Sequence, residues 1–63
     1  MIYNFEIDWM TRTVGEKESG KFPLRIVAES REEALLQALK IAQGMSRAFN
    51  DTGTKFYYRI TNS

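Results

Sequence analysis

The chain of 63 residues contains no cysteine and no histidine. Without cysteine there are no disulfides and no thiolate metal sites, a composition that fits a reducing compartment. Without histidine, zinc would rest on carboxylates alone, so no metal and no cofactor are expected. A serine or threonine nucleophile needs an activating base; neither histidine nor cysteine accompanies the hydroxyls here, and no motif supports a lysine–serine pair. Glycine is sparse as well. Gly15, Gly20, Gly44 and Gly53 stand apart from one another, and none opens a helix after a strand, which excludes a phosphate-cradling loop. The composition points away from an enzyme.

A charge excess of either sign is also missing. Nine basic residues face eight acidic ones, a net charge of +1, whereas a protein that coats nucleic acid carries a strong basic excess. No apolar run approaches the roughly 18 residues that span a bilayer, and Met1-Ile2-Tyr3-Asn4 lacks the basic and apolar regions of a signal peptide. The expectation is a cytoplasmic, single-domain protein with no membrane partner. At this length a single core leaves a thin margin of stability. With disulfides and metals set aside, self-association is the reinforcement left open.

What the chain does contain is alternation. Tyr3, Phe5, Ile7 and Trp9 point one way and Asn4, Glu6, Asp8, Met10 and Arg12 the other, the period of a strand buried on one face. The polar, glycine-bracketed stretch Thr13–Gly20 reads as a mobile loop. A second strand follows, with Phe22, Leu24, Ile26 and Ala28 on one face and Pro23, Arg25 and Val27 on the other; Pro23 suits a sheet edge. Ser30 and Glu33 form an S-x-x-E capping box, each reaching for the other's backbone N–H. The helix it opens carries an apolar stripe of Leu35, Ala38, Leu39, Ala42, Met45 and Phe49, which keeps phase across Gly44. Asn50-Asp51-Thr52-Gly53 ends it. Phe56, Tyr58 and Ile60 then alternate with Lys55, Tyr57, Arg59 and Thr61 in a third strand.

These signals predict an α+β domain over residues 1–63 in the order strand, strand, helix, strand. The strands fall at about 2–12, 21–28 and 54–61 and the helix at about 31–48. The sheet is three-stranded and antiparallel in the order 2-1-3, with the helix on one face and the other face bare. Glu6 and Asp8 share a face and could mimic an acid–base or metal pair. Charge pairing with Arg25, Lys55 and Arg59 across the ladder is the simpler reading. Lys55-Phe56-Tyr57-Tyr58-Arg59 interleaves basic and aromatic residues as nucleic-acid-binding sheets do, but alternation exposes Tyr57 alone.

The run Ala28-Glu29-Ser30-Arg31-Glu32-Glu33-Ala34-Leu35, with Ala38 behind it and an aromatic, basic last strand, resembles the small podophage-encoded inhibitors of bacterial RNA polymerase. That resemblance implies a small antiparallel sheet carrying one helix, and non-covalent binding to the polymerase jaw through arginines of the final strand. Arg59 matches such a position. Thr61 stands where a second arginine is expected, and the stretch Thr13–Gly20 departs from the pattern. What the resemblance implies here is a compact phage-type protein that blocks or redirects a host machine by surface contact, without specifying the target.

The leading expectation is therefore non-catalytic binding to a protein partner, as a phage or mobile-element accessory factor acting on host machinery. Its contact residues are Arg25, Tyr57 and Arg59 on the bare sheet face, with Leu36, Lys40 and Arg47 on the outer helix as a second surface. A nucleic-acid-binding module using Lys55, Tyr57, Arg59 and Arg25 is the competing expectation, and a structural homodimer the third.

Overall fold

The computed structural model of the protein describes residues 1–62. Strand β1 (Ile2–Thr13) and strand β2 (Glu16–Val27) form a hairpin, helix α1 (Arg31–Asp51) follows, and strand β3 (Lys55–Asn62) closes the sheet. The order is β2-β1-β3 with both pairings antiparallel. This is the α+β architecture and strand order that the alternation predicts.

The hairpin differs from the expected loop. Thr13–Gly20 is not a mobile connection: β1 and β2 pair without a break from Ile2↔Val27 to Thr13↔Glu16, and only Val14 and Gly15 turn. Gly15 adopts φ +87°, a conformation that side chains other than glycine rarely take. The segment hides its strand character because both of its faces are wet. Lys17 and Ser19 lie on one side and Glu16 and Glu18 on the other, all exposed, so no apolar alternation marks it. Gly20 is likewise a strand residue rather than a loop bracket. It sits opposite Trp9, and a Cβ placed there would lie 2.7 Å from the Trp9 ring.

Ser30 caps the helix as expected, its hydroxyl accepting from the Glu33 N–H at 3.2 Å. The reciprocal arm is shifted by one residue: Glu33 accepts from the N–H of Glu29, not of Ser30, at 3.4 Å. The helix continues through Gly44, three residues past the expected end, to Asp51. Thr52 closes it with backbone and hydroxyl bonds to the Phe49 carbonyl, and Gly53 follows at φ +79°.

The buried side of the helix is a seam of alanines, Ala34, Ala38 and Ala42. Leu35, placed in the expected stripe, is exposed, while Leu39, Met45 and Phe49 are half-buried. The seam presents little bulk, so the large core side chains come from the sheet: Phe5, Ile7, Ile26 and Phe56. Large residues facing small ones is how a thin two-layer core fills its volume. At the far end of the helix, Phe49 stacks on Phe56 with ring centroids 5.0 Å apart, and Trp9 and Tyr58 complete the cluster around Phe56. The helix lies chiefly over β3. Phe22 on the β2 side is 42% exposed despite its inward direction.

Two substitutions test this packing. Gly20→Ala should destabilise the fold by about 1–3 kcal/mol, because the new methyl displaces a ring in a packed setting. Trp9 is the only tryptophan, so its emission should shift in the same variant. Gly44 has open space around it, and Gly44→Ala should stabilise by about 0.5–1 kcal/mol, a rise of several degrees in Tm.

Candidate binding face

With β1 central, every even-numbered residue of that strand projects from the side without the helix. The register defines rows across this outer face. Nearest the hairpin turn is Lys17–Arg12–Lys55, followed by Ser19–Met10–Tyr57, then Lys21–Asp8–Arg59, then Pro23–Glu6–Thr61. Arg25 lies opposite Asn4, further along.

Tyr57 and Arg59 are therefore neighbours on this face and both are exposed, Tyr57 to 47%. Arg25 is on the same face but six residues along β1 from the Tyr57 row, about 20 Å at the usual strand rise. It can share a large interface with them but not a small site. Leu36, Lys40 and Arg47 are exposed on α1, on the opposite side of the sheet. They form a separate surface that a ligand held against Tyr57 does not reach.

The carboxylates are paired, though not wholly as expected. Asp8 accepts from Arg59 at 3.3 Å, and Glu6 lies 3.8 Å from Lys21. Arg25 faces Asn4 and Lys55 faces Arg12, so neither neutralises Glu6 or Asp8. Lys21 replaces them because Glu6 lies directly opposite Pro23, one residue-pair diagonal from the lysine. The second Asp8 oxygen, Oδ1, is buried without a hydrogen-bond partner. Among the described residues no cluster of three or more acidic side chains gathers as a metal site would require, and no helix is long and apolar enough to cross a membrane.

The distribution of charge is the main finding. The outer face carries six of the nine basic residues (Arg12, Lys17, Lys21, Arg25, Lys55 and Arg59) and two of the eight acidic ones, Glu6 and Asp8. Its formal charge is about +4, with Met10 and Tyr57 as an apolar centre. The rest of the molecule carries three basic and six acidic residues. Lys17 escaped the sequence reading because the hairpin arm was read as a loop, and Arg12, already placed on the outer face of the first strand, was thereby left without its cross-strand neighbour. Continuing the pairing back from Gly20 to a two-residue Val14-Gly15 turn would have paired the two.

The Arg59–Asp8 pair is solvent-exposed on the arginine side, and exposed pairs contribute about 0–1 kcal/mol. Arg59→Ala should therefore leave Tm nearly unchanged in thermal melts, so any effect of that variant on binding reports contact rather than unfolding. No protein-family model, curated protein or solved structure matches this chain.

Proposed function

We propose that this protein is a non-catalytic binding module that engages an acidic protein surface through its helix-free sheet face. It works as a phage or mobile-element accessory factor on a machine of the host. The observation that supports this reading is the segregated charge of that face around the exposed Tyr57 and Met10. An apolar centre with a charged rim is the anatomy of a protein interface, in which aromatic and arginine side chains dominate the energy. The helix surface of Leu36, Lys40 and Arg47, exposed on the other side of the sheet, is the competing surface, which this reading does not use.

The test is capture of partners from a bacterial lysate with tagged protein, followed by titration of the captured protein. Tyr57→Ala and Arg59→Ala should each weaken binding at least tenfold, the effect of an interface anchor. Lys40→Ala and Arg47→Ala should leave it within about twofold. If the helix variants abolish capture while the sheet variants retain it, the outer sheet face is not the interface.

A further inference from the structure

We propose that the hairpin end of the outer face is a binding site for single-stranded nucleic acid, in which Tyr57 stacks on a base and Arg12, Lys17 and Lys55 hold the flanking phosphates. The row Lys17–Arg12–Lys55 places three cations directly opposite one another on adjacent strands. Strands lie about 4.8 Å apart, so the three charges fall within about 10 Å. Like charges directly opposite across a ladder destabilise a sheet. Nothing on that face relieves the repulsion. Among the described residues the two ion pairs there engage Lys21 and Arg59, not this row, and Asp8 lies four residues along β1 from Arg12, about 14 Å away. Glu16 and Glu18, the neighbours of Lys17, project from the other side of the sheet. A local arrangement that costs stability with no internal compensation marks a place where a ligand supplies it.

The adjacent row supplies the second element. Tyr57 is exposed beside Lys55 and lines, with Arg12, Lys55 and the backbone of Gly15 and Gly53, an open depression of about 460 Å³. Along β3 the outward order is basic, aromatic, basic (Lys55, Tyr57, Arg59), spaced about 6.7 Å apart. An unpaired base lies on the tyrosine while the phosphates on either side meet cations, the combination by which single strands are held without sequence preference. A duplex cannot offer its base face to Tyr57, and a peptide carboxylate does not need three cations at one point.

The inference shares Tyr57 with the protein contact proposed above and is told apart from it by Arg12 and Lys17, which are not among the anchors of that contact. Fluorescence anisotropy of labelled dT12 and U12 should show binding at low salt. The logarithm of the affinity should fall with the logarithm of salt at a slope of about −2 to −3, as for three or four phosphates of a single strand. Tyr57→Ala should weaken binding roughly 5- to 100-fold, the loss of one stacked base, whereas Tyr57→Phe should retain it. The double variant Arg12→Gln/Lys17→Gln should reduce the steepness of the slope by about 1.4 and, by removing like charges, should raise Tm. Lys40→Gln/Arg47→Gln should change nothing. Absence of binding at low salt, equal loss in the helix variant, or a twelve-residue poly-glutamate peptide binding as tightly as dT12 would each overturn the proposal. Lysate capture that persists in Arg12→Gln/Lys17→Gln separates this result from the protein-partner reading.

Discussion

The register of β1 between its two neighbours is the constraint on which the rest of the molecule depends. Side chains alternate with period two, so a slip of one residue exchanges the faces of a strand. In β1 that exchange would drive Glu6 and Asp8 beneath the alanine seam and expose Phe5 and Ile7. Burying two carboxylates without partners is prohibitive on the scale of this small core. The same alternation that builds the core therefore gathers the cations on the opposite side: the charged face and the hydrophobic layer are two consequences of one pairing. Gly15 in its positive-φ turn holds the pairing at the hairpin end, and Gly20 holds it where the Trp9 ring leaves no room for a side chain.

The alanine seam decides what remains uncovered. Ala34, Ala38 and Ala42 let bulk come from one layer only, and the Cα framework is 12 Å across in its thinnest dimension. One helix over a three-stranded sheet covers one face and leaves the other to solvent. That face tolerates water because β1 and its neighbours satisfy one another's backbone groups and because its side chains are mostly charged. The edge is managed too. Pro23 removes a donor from β2, and basic residues punctuate both outer strands, the usual defences against edge-to-edge pairing. Two copies stacked by their outer faces would set about +4 against +4. This disfavours the bare sheet as a homodimer contact.

The parts legible in the sequence were those with an apolar–polar contrast. Tyr3 to Trp9, Phe22 to Ala28 and Phe56 to Ile60 each alternate against solvent, and with the Ser30 cap they sufficed for element order, strand order and the outward direction of Tyr57 and Arg59. Where the contrast vanishes, the reading failed. Glu16 to Ser19 is wet on both sides and passed for a loop, although it is paired strand. The helical stripe contained Ala38 and Ala42, which are buried, but began at Leu35, which is exposed, and left out Ala34. The packing favours the alanines over the leucines beside them, since Phe5, Ile7 and Phe56 already occupy the space between the layers. Lys21 was overlooked as the partner of Glu6 because the pairing is diagonal, and diagonals follow from the register rather than from composition.

Net charge conceals the distribution of charge for a related reason. A total of +1 describes a molecule without direction, yet this one has two sides of opposite sign. At physiological ionic strength the Debye length is about 8 Å, shorter than the 12 Å thickness of the Cα framework. A partner approaching the outer face is steered by the charges of that face and is largely screened from the carboxylates behind it. The electrostatic potential of each side thus follows from placement, not from composition. Within the face, the paired cations and the unpaired ones differ in how they are held. Arg59 and Lys21 each lie beside a carboxylate, at 3.3 Å from Asp8 and 3.8 Å from Glu6. Arg12, Lys17 and Lys55 are held by nothing but the backbone ladder and repel one another. A ligand that neutralises them therefore gains the relief of that repulsion in addition to its own contacts, which makes the hairpin end the part of the face most responsive to dense negative charge.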